Sequence, residues 1–227
     1  MLWSSFLDVL LPGRRSPYPA QVDEHYFTPS PTTDARRFPL AVRLAGRDLE
    51  LVSSASVFSG HGVDKATAVL LNRLDEITEP PARARILDLG CGWGPIALTA
   101  AITHPDAEVW AVDVSERARE LTAQNVERAG LTNVRVVAPD EVPEDLMLDA
   151  IWSNPPIRIG KPALHDLLLQ WTARLTPEGT AALVVGKNLG ADPLARWLGE
   201  QLPDREVAKV ASAKGFRVLE VGPVRPA

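Results

Sequence analysis

From Arg85 onward, short apolar runs alternate with stretches of helical periodicity. Ile86-Leu87, Val109–Val112, Val134–Ala138, Ala150–Trp152 and Ala181–Val185 show no polar alternation, as suits strands covered on both faces. Strands of that kind separated by helices predict a doubly wound, mostly parallel α/β sheet. Leu164, Leu167, Leu168, Trp171 and Leu175 mark the clearest helix, and Pro162 suits its first turn. Upstream, Val63, Thr67, Leu70, Leu71 and Leu74 share one helical face, with Asp64 placed to cap its start. Leu40–Leu44 and Asp48–Val52 flank Ala45-Gly46-Arg47, a hairpin signal. Glu206–Ala211 and Phe216–Val221, on either side of Gly215, predict a closing antiparallel hairpin. Residues 12–39, rich in Pro, Arg, Ser and Thr, read as an irregular arm. The chain therefore divides into an arm and β-hairpin over 1–53 and an α/β domain over 54–227.

Composition narrows the class. The chain has 227 residues, 45% hydrophobic and 23% charged, which is globular rather than disordered. A net charge of −5 provides no global field for a polyanion, although arginines gather locally at Arg14, Arg15, Arg36, Arg37, Arg43 and Arg47. A single cysteine, Cys91, excludes a disulfide framework, and His25, His61, His104 and His165 lack metal-ligand spacing, so no metal is expected. No stretch is long and apolar enough to span a bilayer. The apolar Met1 to Leu11 lacks a basic n-region and carries Asp8, so the expected location is cytoplasmic. The pattern says nothing of oligomeric state.

The densest chemical signal is Leu87-Asp88-Leu89-Gly90-Cys91-Gly92-Trp93-Gly94-Pro95, where the first strand of the sheet turns into a helix. Glycine lets the backbone turn sharply and approach a ligand. The spacing Asp-x-Gly-x-Gly-x-Gly differs from the Gly-x-Gly-x-x-Gly of nicotinamide and flavin binders. The second strand ends in Asp113, a carboxylate placed to accept from both hydroxyls of an adenosine ribose. The third delivers Asp140 to the same rim, as a candidate acceptor for an adenine amino group. The fourth ends in Ser153-Asn154-Pro155-Pro156-Ile157. Its prolines cannot continue the ladder, so the chain leaves the sheet as a rigid turn. That turn puts the Asn154 side-chain oxygen and the Pro155 carbonyl beside the glycine loop, two acceptors for the hydrogens of a planar exocyclic amine.

Asp88–Gly94 with Asp113 and Asp140 resembles the S-adenosylmethionine pocket of class I methyltransferases. The resemblance implies a seven-stranded Rossmann-like sheet, with Asp88, Gly90, Gly92 and Gly94 under the methionine part of the cofactor, Asp113 on its ribose and Asp140 near its adenine. Asn-Pro-Pro is similar to the signature of amino-methyltransferases. Val57-Phe58-Ser59, Asp64-Lys65-Ala66-Thr67, the Leu70-Leu71 pair, the glycine loop and Asn-Pro-Pro together reproduce the motif order of the small-domain methyltransferases. Over about residues 50–222 the chain most resembles the small-subunit ribosomal RNA guanine-N2 methyltransferases of bacteria. The Asn-Pro-Pro match implies catalysis at Asn154, Pro155 and Pro156. Ile157 is placed to press on a base face, and Thr67 is a candidate contact for the donor methionine or else a core residue of its helix. Substrate contacts fall to Phe58, Arg158 and Lys161, and ribosomal RNA or a ribosomal subunit is the expected partner. An aromatic residue usually follows the two prolines, where this chain has Ile157-Arg158, and Ala66 replaces the usual glycine. Better-known members also carry a further N-terminal domain. A protein glutamine or a DNA adenine as methyl acceptor, and a non-catalytic RNA-binding role, stay open as alternatives.

Overall fold

The structure, a computed structural model, describes residues 37–55, 57 and 61–225. The expected arm before Arg37, with Arg14, Arg15 and Arg36, and Phe58 in the following loop lie outside the described residues. Strands β1 (Arg37–Leu44) and β2 (Arg47–Ser54) pair antiparallel with Leu44 opposite Arg47. The turn is therefore the two residues Ala45-Gly46 rather than the expected three. Both have positive φ, 46° and 78°, the two-residue turn whose twist matches that of the strands.

The main sheet has the order β5-β4-β3-β6-β7-β9-β8. Its strands are β3 (Arg85–Leu89), β4 (Glu108–Val112), β5 (Val134–Val137), β6 (Leu148–Ser153), β7 (Leu175–Gly186), β8 (Arg205–Ala213) and β9 (Phe216–Val224). The pairs among β3 to β7 are parallel, whereas β9 is antiparallel to both β7 and β8. Helices α1 (Lys65–Leu71), α2 (Pro95–Thr103), α3 (Glu116–Arg128), α4 (Lys161–Thr172) and α5 (Ala191–Gln201) complete the fold. This is the mostly parallel, seven-stranded Rossmann-like sheet expected from the pattern, closed by an antiparallel hairpin. The helix expected to run through Leu175 stops at Thr172, because Arg174 accepts from the Leu148 N–H at 2.8 Å and Leu175 enters the ladder opposite Leu148. Leu74 likewise leaves the helical face and opens a 3₁₀ turn.

Both faces of the sheet are covered, which explains the unbroken apolar runs. Ile86, Val109, Ala111, Trp152 and Val184 pack under α1 and α2. Their neighbours Leu87, Trp110, Val112, Ile151 and Leu183 pack under α4 and α5 with Leu168 and Trp171. The order of strands reverses between β3 and β6, and ligands of open α/β sheets bind at the carboxyl ends of strands flanking such a point. The glycine loop follows β3 and Asn-Pro-Pro follows β6, so the topology brings both motifs to that crevice.

The β1–β2 hairpin forms its own cluster, in which Leu40, Leu44, Leu49 and Leu51 meet Trp93, Leu98 and Leu121. A buried amide, Asn125 of α3, joins it to the glycine loop. Its Oδ1 accepts from Val52 N at 2.8 Å, and its Nδ2 donates to Val52 O at 3.0 Å and Trp93 O at 2.9 Å. Asn125→Leu keeps the volume and strands three backbone groups, of which Trp93 O is buried and the two of Val52 are part-buried. The expected loss is about 2–3 kcal/mol, read by urea denaturation, with Asn125→Ala as a second variant free of any added branching.

Candidate active site

The floor of the site is the turn from β3 into α2. Gly90, Gly92 and Gly94 all have positive φ, of 82°, 62° and 94°. At Gly94 a Cβ would come within 3.0 Å of Thr122 Cγ2, so the loop packs on α3 only without a side chain there. At Gly92 a Cβ would meet, among the described residues, only Val57, at 3.9 Å. The Thr122 hydroxyl donates to Gly92 O at 3.0 Å, which holds the turn from below. Asp113, just past β4, accepts from Gly92 N at 3.0 Å with one oxygen and from Ser115 N at 2.9 Å with the other. One carboxylate thus shapes the loop and faces the rim together.

Asp88 is almost wholly buried within β3. Its Oδ2 accepts from Ala97 N at 2.9 Å, in the first turn of α2, while Oδ1 has no hydrogen-bond partner among the described residues. Burial pushes its carboxyl up to about 8, helped by the charge of nearby Asp113 and opposed by the Ala97 N–H. Desolvation raises Asp113 as well, against the N–H groups of Ser115 and Gly92 and the cation of Arg119. A buried carboxylate oxygen lacking a donor, beside a glycine turn with open space above it, fits a cationic or hydrogen-donating group of a cofactor. Asp140 lies in a 3₁₀ turn after β5 and is exposed, so strand order sets Asp113 and Asp140 side by side along the rim, with Asp88 buried inside β3 beside them.

The opposite wall is Asn154. Its Nδ2 donates to Asp64 Oδ2 and to Thr67 Oγ1, both at 3.1 Å. Asp64 Oδ2 also accepts from Ala66 N and Thr67 N as the cap of α1. A carboxylate only accepts, so the amide nitrogen must face it and Oδ1 is left as the acceptor directed away from α1. Ser153 ties this wall to the floor, its hydroxyl donating to Leu89 O at 2.7 Å. Pro156 sits at φ −75° and ψ 75°, the centre of an inverse γ-turn in which Ile157 N donates to Pro155 O at 2.8 Å. One lone pair of the Pro155 carbonyl is therefore engaged and the other remains. Ile157 packs partly into the core under α4, whereas Arg158 and Lys161 are exposed at the rim.

The structure thus brings Asp88, Gly90, Gly92, Gly94, Asp113, Asn154 and Thr67 around one crevice. Three partners escaped sequence reasoning. Asp64 and Ser153 lay inside quoted motifs but were given no contact in the site, and Thr122 carried no motif at all. Cys91 is buried against Thr122, and burial together with the charges of Asp113 and Asp88 raises its thiol, which suits a packing residue rather than a nucleophile. Trp93 belongs to the hairpin cluster.

Fold and site define an S-adenosylmethionine-type methyltransferase architecture. The chain belongs to the methyltransferase small domain family, whose model matches residues 48–220. It is 34% identical over 202 residues to the uncharacterized protein YbxB of Bacillus subtilis, covering 88% of this chain and 98% of that one. It is 32% identical to ribosomal RNA large subunit methyltransferase G of Pseudomonas syringae, over 81% of this chain and 49% of the relative. Among solved structures, the 16S ribosomal RNA N2 G1207 methyltransferase RsmC of T. thermophilus, in complex with AdoMet and guanosine, superposes with a TM-score of 0.71 at 25% identity. That match covers 85% of this chain and 52% of RsmC, so this chain spans about half the length of both named methyltransferases.

The buried carboxylate carries a pH signature. Between its unfolded value of 3.8 and its folded value of about 8, Asp88 holds a proton in the folded state that the unfolded chain has lost. Its contribution to stability therefore declines as pH rises through that window. The midpoint of thermal unfolding of the ligand-free protein is expected to fall from pH 5 to pH 8. Asp88→Asn, which keeps an acceptor for Ala97 N, is expected to flatten that slope, and an equally steep profile would show that Asp88 does not titrate there.

Proposed function

We propose that the protein is an S-adenosylmethionine-dependent N-methyltransferase acting on guanine N2 of small-subunit ribosomal RNA, in the cytoplasm. The observation that carries this reading is the amide of Asn154, whose nitrogen is committed to Asp64 and Thr67 so that its oxygen is the acceptor beside the glycine loop. When bound, S-adenosylmethionine supplies an electrophilic methyl group on a sulfonium centre. Gly90 and Gly92 would let its methionine part lie close to the backbone. Asp88 Oδ1 would accept from its ammonium, Asp113 from its ribose hydroxyls, and the turn at Asp140 would border its adenine.

Asn154 Oδ1 and the remaining lone pair of Pro155 O would accept the two hydrogens of the target amine. As the nitrogen pyramidalises, its two hydrogens, held by these acceptors, bend out of the ring plane, and the lone pair localises on nitrogen and points at the methyl group. The amine becomes acidic only as its new bond forms, so orientation and hydrogen bonding suffice and the proton is lost to water. Ile157 would press on the base face, and Arg158 would stack on it or meet phosphate. Two of the three relatives named above carry ribosomal RNA in their names, which favours this substrate over a protein glutamine or DNA.

Asn154→Ala is expected to lower the methyl-transfer rate by about 10²–10³-fold while calorimetric affinity for S-adenosylmethionine stays unchanged. Asp113→Ala should weaken that affinity instead. The substrate is tested by mass-spectrometric nucleoside mapping of both ribosomal RNAs from a strain lacking the gene, before and after addition of the purified protein. Gain of N2-methylguanosine in the small-subunit RNA is the expected result. Gain only in the large-subunit RNA would move the target to that subunit, and no gain in either would overturn the RNA reading.

A further inference from the structure

The charges along the carboxyl rim are divided by the order of the strands. On the half built from β5, β4 and β3, Asp113 follows β4 and Asp140 follows β5. On the other half, Lys187 follows β7 and Lys214 turns the β8–β9 hairpin. Gly186 pairs with Phe216 and Lys187 N donates to Gly215 O at 2.8 Å, so the two lysines are held on neighbouring segments of one rim. Between them lies an open hollow of about 330 Å³, bordered also by Ser212, Gly215, Phe216 and Arg217. Arg217 is paired with Asp192. No ion pair among the described residues neutralises Lys187 or Lys214, and both are exposed.

The position relative to Asn154 follows from the ladder. Ser153 pairs with Leu183 in parallel register, which sets Lys187 on the order of 10 Å from Asn154 at ordinary strand rise and spacing. Two cations and a backbone turn around an open concavity make a receptor for one or two phosphodiester groups, and at that distance they would belong to nucleotides adjacent to the base held by Asn154. In a chain of net charge −5, the location of these cations also sets direction. The strand's backbone is drawn to the β7–β9–β8 side and away from the acidic side chains of Asp113 and Asp140.

We propose that the Lys187–Lys214 hollow is a phosphate-binding subsite for single-stranded RNA flanking the target nucleotide. It rests on the RNA substrate proposed above, and it adds a site and a polarity to that reading. The probe is a fluorescently labelled 12-nucleotide single-stranded RNA of mixed sequence, with binding followed by anisotropy across a salt series. The double variant Lys187→Gln/Lys214→Gln is expected to bind it on the order of tenfold more weakly near 0.15 M salt. The slope of log affinity against log salt should fall by about 1.4, at roughly 0.7 per lost phosphate contact on a single strand. S-adenosylmethionine affinity should stay unchanged, and Lys187→Arg/Lys214→Arg should restore both affinity and slope. An unchanged slope in the Gln variant overturns the subsite even where nucleoside mapping supports RNA methylation. Conversely, the expected slope change in a protein that methylates no RNA would uphold the subsite and overturn the proposed reaction.

Discussion

The site depends on one hydrogen-bonding constraint, the commitment of a single amide nitrogen. Asn154 could turn its side chain either way, and only one orientation offers an oxygen to the crevice. Asp64 decides it, since a carboxylate already accepting two backbone N–H groups has nothing to donate. Asp64 in turn holds that position because it caps α1, and α1 is held by the packing of Val69 and Leu70 against the sheet. A short helix of seven residues would be marginal by itself. Its value here lies in carrying a cap and Thr67 to the wall of the site, where both engage the same amide.

The floor follows the same logic of shared partners. Asp113 closes the glycine loop and faces the rim, Thr122 supports the loop from α3, and Asn125 one turn further along α3 links Trp93 to β2. Helix α3 is thus the strut between the β1–β2 hairpin and the loop. The hairpin is a structural part of the site, since its apolar face encloses Trp93 within the glycine sequence itself. Asp88, one residue short of the end of β3, carries the energetic cost of this arrangement: its second oxygen is desolvated with no hydrogen-bond partner among the described residues. Such a group is tolerated where a ligand completes its bonding.

Much of this was legible in residue order. The apolar runs named five strands of the sheet, because strands buried on both faces need no polar alternation, and the hairpin strands β8 and β9 followed from Gly215 and its flanks. The glycine spacing, Asp113 at a strand end and Asn154 before two prolines marked the two halves of the crevice, because glycine and proline constrain the backbone regardless of context. Local patterning misplaced element ends and named no helix over Ala191–Gln201. The helix at Leu164 stops before Leu175 because strand pairing with Leu148 outcompetes another helical turn, and Arg47 joins β2 because a two-residue turn suits the twist.

What residue order alone determined, then, was the class of fold, the cofactor-type loop and the pair of motifs that face each other, all of which depend on periodicity or on backbones restricted by their own side chains. Tertiary structure alone decided the orientation of the Asn154 amide, the tether from Ser153 to Leu89, the support from Thr122 and the gathering of Lys187 with Lys214. Each of these joins segments distant along the chain. Hydrogen bonds and charge clusters of that kind leave no period in a sequence, and exist only once the sheet has set its strands side by side.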